Sequence, residues 1–269
     1  MRSAGVNGTT LAYVDEGPSD GLPIIFSHSL FFNHRMFDPL RERFVGKGFR
    51  VIAYDHRNQG DSAPAPRGEL DMDTLTADVV ALIGHLGLGK CHFVGNSLGG
   101  FIALRLAARH PGLLLSATAL GSSAEQEHKL AEFGPLVDQL TENGPDQLLD
   151  ALMYIMFGDT SLERRAELCA PWRAFMSRLS PAIGDSAYGV IHRSRIIGEL
   201  SGCRVPVLAI AGSEDHAYPQ PISGENIAAA SGGTQVTIDN AGHSVSLEQP
   251  AIVAGLLERH FAESAVALS

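Results

Sequence analysis

Cys91-His92-Phe93-Val94-Gly95-Asn96-Ser97-Leu98-Gly99-Gly100-Phe101 is the stretch whose reading decides the fold. It opens on a short apolar run and frames a serine with glycines. It then enters a helical pattern that continues from Phe101 to His110. G-x-S-x-G fixes only three positions, and a chain with 29 glycines can carry it by chance. A strand before it and a helix after it give it meaning: the glycines permit a turn too sharp for side chains, and that turn lifts the serine hydroxyl above a sheet edge. Ser97 is therefore read as a nucleophile.

The rest of the chain repeats the same rhythm. Buried strands are expected at Ile24–Ser27, Arg50–Tyr54, Cys91–Gly95, Leu115–Leu120, Val205–Ala211 and Thr234–Ile238, since near-continuous apolar runs suit a parallel sheet covered on both faces. Thr10–Val14 reads as an additional antiparallel strand at an edge. Between strands, Leu75, Val79, Leu82, Ile83 and Leu86 repeat at close to 3.6 residues, with Gly87 placed to end the helix. A last helix is expected to open at Pro250 and to bury Ile252, Val253, Leu256 and Leu257. Alternating strands and helices give a mostly parallel, doubly wound α/β sheet. From 122 to 201 the rhythm stops: helical stretches appear at Leu130–Leu140, Gln147–Phe157, Leu162–Cys169 and Pro171–Leu179, and no strand. The expected organisation is a core of residues 1–121 and 202–269 with a helical insertion at 122–201.

Composition narrows the function classes. The chain has 269 residues, of which 45% are hydrophobic and 19% charged, with a formal net charge of -10. That balance disfavours nucleic acid and anionic membrane surfaces as partners. No stretch approaches the roughly 20 apolar residues of a membrane span, and the N-terminus has no apolar signal region. Cys91, Cys169 and Cys203 make an odd number without a disulfide spacing. The expectation is a cytoplasmic protein acting on a small molecule, with room for a homodimer.

A nucleophilic serine needs a base, and the base needs an orienting acid. Glu214 and Asp215 follow the strand ending at Ala211, and His243 follows the strand ending at Ile238. Three groups thus lie just beyond three strands in the order Ser, Asp/Glu, His, at the carboxyl edge where such sheets carry their sites. Among 11 histidines, His28 and His56 are read as loop-holding, His192 as structural and His216 as a surface or gating residue. The backbone N–H of Leu98 and one from the loop after Ser27, at Leu30, are candidate oxyanion donors. The bulky insertion residues Met153, Phe157 and Trp172, with Phe31, are candidate pocket lining. No metal-ligand spacing is visible, and no cofactor is expected.

At these residues the chain resembles the α/β-hydrolase fold family over nearly its whole length. His28-Ser29-Leu30 is similar to the family's His-Gly-x oxyanion segment, with Ser29 in the glycine's place. Tyr54-Asp55-His56-Arg57-Asn58-Gln59-Gly60-Asp61-Ser62 is similar to its Asp-x-Arg-Gly-x-Gly-x-Ser segment, with Asn58 for a glycine. Gly212-Ser213-Glu214-Asp215 with Pro219, and Gly242-His243 with Glu248-Gln249-Pro250, resemble the segments bearing the acid and the histidine. The first of these selects Asp215 over Glu214. The resemblance implies a Ser97–His243–Asp215 triad under a helical cap formed by the insertion. It points to the serine branch, which hydrolyses esters or lactones through an acyl-enzyme, rather than to the aspartate nucleophile of haloalkane dehalogenases and epoxide hydrolases. Gly-Asn-Ser-x-Gly-Gly also resembles the elbow of carbon–carbon hydrolases of meta-cleavage products, but Ser244 and Val245 stand where those enzymes carry a tryptophan. The histidine segment looks closer to 3-oxoadipate enol-lactonases and small carboxylesterases. A slow-turnover, ligand-sensing protein on the same fold is a further alternative.

Overall fold

The computed structural model describes residues 1–267. Eight strands, β1 (Arg2–Val6), β2 (Thr9–Glu16), β3 (Pro23–Ser27), β4 (Arg50–Tyr54), β5 (Cys91–Asn96), β6 (Leu114–Leu120), β7 (Val207–Gly212) and β8 (Thr234–Ile238), form one sheet in the order β1-β2-β4-β3-β5-β6-β7-β8. β1 and β2 are antiparallel to their neighbours, and the remaining pairs are parallel. The register aligns Asn96 with Leu120, Leu120 with Ile210 and Gly212 with Ile238, so β5 to β8 end along one edge.

Helices cover the sheet: α1 (Asp38–Gly46), α2 (Met72–Leu86), α3 (Leu98–Arg109), then α4 (Leu130–Asn143), α5 (Leu149–Met156), α6 (Asp159–Arg164), α7 (Ala166–Met176) and α8 (Ile183–Ile191), and finally α9 (Glu225–Ser231), α10 (Val245–Glu248) and α11 (Pro250–Ala267). Only helices, α4 to α8 with short 3₁₀ turns, lie between β6 and β7 among the described residues. α2 shows why its sequence forms a helix. The Asp71 side chain accepts from the N–H groups of Asp73 and Thr74, a cap worth about 1 kcal/mol, and Gly87 ends the helix in the left-handed region at φ 60°.

Four expectations are corrected. The strand at Thr9–Glu16 is not at the edge, because β1 pairs outside it. β1 buries only Ala4 and Val6, too few apolar positions to stand out. Its signal is Asn7-Gly8, whose positive φ values of 45° and 74° make the two-residue turn that twisted hairpins favour. β8 is an edge strand with exposed Thr234, Gln235 and Thr237 rather than a buried one. Ile252 is exposed, while Val253, Leu256 and Leu257 are buried as expected. Finally, α8 has no counterpart among the predicted helices. Two glycines break its helical signal, and packing requires both: a Cβ on Gly184 would press into the Thr141 backbone, and one on Gly189 into the Leu70 carbonyl.

Behind the sheet, His92 on β5 is buried and stacked on Phe261 of α11, with ring centroids 4.0 Å apart. Nδ1 shares a hydrogen bond with Ser116 Oγ at 2.8 Å, and Nε2 has no partner. Burial, with His260 nearby, lowers the His92 pKa to about 3. An unfolded histidine titrates near 6.5, so as pH falls the unfolded chain binds the proton first. The stability is whole above about pH 6.5, falls below it, and stops falling near pH 3. At pH 5 the loss from this one residue is about 2 kcal/mol. In His92→Leu, the fall in Tm between pH 7.5 and pH 5 is expected to be roughly 4 °C smaller than in the parent. Scanning calorimetry at both pH values checks this; an unchanged difference would refute it.

Candidate active site

Ser97 sits between β5 and α3 at φ 50° and ψ -109°, a backbone conformation that a side chain adopts only under constraint. The constraint is visible. Ser97 N–H donates to Leu120 O at 2.8 Å, and Ser122 Oγ donates to Ser97 O at 2.8 Å. The glycines around it are required by close approach. A Cβ on Gly95 would overlap the Gly99 carbonyl, one on Gly99 the Ser27 carbonyl, and one on Gly100 would stand 2.5 Å from Ser122 Cβ.

Asp215 and His243 come from the loops after β7 and β8. His243 Nδ1 lies 3.0 Å from Asp215 Oδ2 and 3.2 Å from Oδ1, and both residues are buried. Asp215 Oδ1 also accepts from the N–H groups of Ala217 and Tyr218, each at 2.8 Å. Burial alone would raise this carboxyl; His243 and the two N–H groups outweigh it and hold the group below the usual carboxylate range. Glu214, the competing acid, instead binds Thr160 of α6 at 2.6 Å.

The histidine loop is held from three sides. Asn96 Nδ2 donates to His243 O at 2.9 Å, while Asn96 Oδ1 accepts from Ser246 Oγ at 3.2 Å. Gly242 N–H donates to the buried Glu248 carboxylate at 2.9 Å, and Ser244 N–H to Met156 O at 3.0 Å. Gly121, at φ 48°, leaves the space: a Cβ there would stand 2.7 Å from His243 O and 3.3 Å from Asp215 Oδ2. Sequence reading missed Asn96 and Gly121 as supports, because their partners are more than 90 residues away.

On the other side of Ser97, the loop after β3 carries Leu30 and Phe31, the latter at φ 71°. His28 and His56 hold it from beneath, as expected. His28 Nδ1 meets Ser29 O at 2.8 Å, His28 Nε2 accepts from His56 N–H at 3.1 Å, and His56 Nε2 meets His28 O at 3.0 Å. Ser29 is buried, and its hydroxyl has no partner among the described residues. Leu98 opens α3, so its N–H is among those without a partner inside the helix.

Ser97, His243, Leu30 and Phe31 all line one cavity enclosing about 520 Å³ of empty space, mouth included. Its remaining walls are Phe133, Leu136, Val137 and Leu140 of α4, Leu152, Ile155 and Met156 of α5, one face of α8, and Ala217 with Tyr218. Of the four predicted lining residues only Phe31 is there. Met153 is buried off the lining face of α5. Phe157 and Trp172 pack instead on Phe32, at 6.0 and 4.8 Å between centroids, and so fasten the insertion to the loop after β3. Sequence reading missed the α4 lining; the signal that could have found it is the i, i+3, i+4, i+7 spacing of Phe133, Leu136, Val137 and Leu140 on one helix face. Apart from His243 the lining carries no ionisable side chain but Tyr218, whose burial pushes its phenol pKa far up. Among the described residues no group of three His, Cys, Asp or Glu is disposed to hold a metal ion, and no helix is long and apolar enough to cross a membrane.

Comparison with known proteins gives four matches. The family model of the alpha/beta hydrolase fold matches residues 21–250. An AB hydrolase superfamily protein of Bacillus subtilis, YisY, is 29% identical over 245 residues, covering 85% of this chain and 87% of that protein. The bifunctional esterase/perhydrolase DCH of Acinetobacter calcoaceticus is 28% identical over 244 residues, covering 82% and 84%. Among solved structures, the enol-lactonase from Burkholderia xenovorans LB400 superimposes with a TM-score of 0.89 at 26% identity, over 97% of this chain and 100% of that one.

Proposed function

The chain belongs to the alpha/beta hydrolase fold family, and from that premise we propose that it is a serine hydrolase cleaving a carboxylic ester or lactone through an acyl-enzyme. One observation carries the reading: His243 Nδ1 is bonded to a buried Asp215, while the same imidazole and Ser97 line one apolar cavity. The esterase and enol-lactonase names among its relatives agree with it.

In this reading His243 takes the proton from Ser97 as the hydroxyl attacks the carbonyl carbon. Asp215 fixes the imidazole with Nδ1–H toward itself and stabilises the charge the ring acquires. The N–H groups of Leu98 and Leu30 receive the oxyanion, each contributing about 3 kcal/mol. His243 then protonates the departing alkoxide. Water, activated by the same ring, releases the acid. Asn96 is accounted for by its bonds to the His243 loop and needs no carbon–carbon chemistry to explain it.

The cavity supports an uncharged, largely apolar substrate, since no cationic side chain lines it to pair with a carboxylate. Turnover on a panel of neutral esters, lactones and ring-cleavage dienones tests the reading; hydrolysis of the dienones alone would overturn it. Within the panel, Val137→Phe on the α4 wall fills the space of about two methylenes. It is expected to lower kcat/KM for p-nitrophenyl octanoate about tenfold while leaving the acetate ester within about twofold. Steady-state kinetics on the two esters checks this, and an equal loss on both would count against α4 as the chain-binding wall.

A further inference from the structure

Glu127 and Arg193 form an ion pair inside the helical insertion, away from the cavity lining and unused in the chemistry described above. Arg193 Nη1 donates to Glu127 Oε2 at 2.8 Å, and both side chains are almost completely shielded from solvent. The Tyr218 hydroxyl donates to the same Oε2 at 2.7 Å and accepts from Arg193 Nη1 at 3.1 Å. Glu127 Oε1 takes the Lys129 N–H at 2.9 Å. The guanidinium also donates to Glu125 O and Val190 O, each at 3.0 Å, and lies 4.2 Å over the Phe101 ring.

Tyr218 is where this pair meets the site. Its N–H gives Asp215 Oδ1 one of its hydrogen bonds, and its ring meets the His243 ring edge-on with centroids 5.3 Å apart. A residue that touches both the acid and the imidazole sets their mutual placement, and its own placement is set at the hydroxyl by the pair. Stability is a poor explanation for such a pair: removing two charges from water costs about as much as their attraction returns, and apolar residues of similar volume often pack as well. A fixed geometry is a better one. Resting on the serine-hydrolase reading, we infer that Glu127 and Arg193 are positioning residues: through the Tyr218 hydroxyl they hold Asp215 and His243 in the arrangement that proton transfer from Ser97 requires.

The test compares Tyr218→Phe, the apolar double variant Glu127→Leu/Arg193→Met, and all three substitutions together. Two readouts are used: kinetics on a short neutral ester, and the downfield proton resonance of His243 Nδ1, which reports the bond to Asp215 without turnover. The double variant is expected to fold, to lose kcat about ten- to a hundredfold with KM within about twofold, and to shift or broaden the resonance. Tyr218→Phe is expected to lose kcat about three- to tenfold in the same manner, and the triple variant to be little worse than the double. A folded double variant with parental kcat and an unmoved resonance overturns the inference. Should the double variant not fold, Tyr218→Phe decides alone, and parental kcat with an unmoved resonance overturns it equally. If the parent turns over none of the esters and lactones while the substitutions still move the resonance, the hydrolase reading fails and the positioning stands.

Discussion

Ser97→Ala is expected to lower kcat on a short neutral ester by at least about 10⁴-fold while leaving the protein folded and melting within a few degrees of the parent. Alanine removes the oxygen proposed to attack and nothing that holds the elbow. The backbone bonds from Ser97 N–H to Leu120 O and from Ser122 Oγ to Ser97 O do not involve the Ser97 side chain. What would remain is the proposed oxyanion hole and substrate binding, which in triad enzymes leave only a small residue of the original rate. Initial rates with circular dichroism melts check both halves. A variant that unfolds would make the serine a structural residue, and one that turns over at the parental rate would remove it from the chemistry.

Asp215→Asn carries the second large effect, about 10³- to 10⁴-fold in kcat. The asparagine Oδ1 can still accept from Ala217 and Tyr218, so the loop keeps its shape. The amide NH₂ then faces His243 Nδ1, which must turn acceptor, leaving Nε2 protonated and unable to take the serine proton. The loss is thus one of tautomer rather than of fold. KM is expected to stay within about threefold, and the Nδ1–H resonance of His243 to disappear. Retention of that resonance with a large loss of rate would mean that Asp215 acts in some other way.

These effects differ in how far the sequence announces them. The elbow at Ser97 was legible because close approaches, to backbone at Gly95 and Gly99 and to the Ser122 side chain at Gly100, leave no room for a Cβ, and that constraint writes itself into the residue types. Asp215 and His243 were legible through chain order, since each follows a run that forms a strand ending on the same sheet edge. The proposed oxyanion donors at Leu30 and Leu98 are assigned from position alone, because a backbone N–H leaves no mark on the sequence. The cavity was not legible in the same way. Bulky insertion residues are read as lining, yet Phe157 and Trp172 are used to fasten the insertion to Phe32, and Phe133 with three aliphatic residues on α4 forms the wall instead. α8 was hidden by Gly184 and Gly189, which weaken a helix locally and are needed for its packing. The link from Glu127 and Arg193 to Tyr218 joins residues 25 to 91 positions apart, beyond any local pattern.

The central claim, that Ser97 becomes acylated, is tested most directly by rapid quenching during turnover of p-nitrophenyl acetate, followed by proteolysis and peptide mapping by mass spectrometry. The expected result is an acetyl group on Ser97 in the parent, formed in a burst with the first equivalent of p-nitrophenol and absent from Ser97→Ala. Turnover at the parental rate with no acetyl on Ser97, or with the acetyl on another side chain, would contradict it.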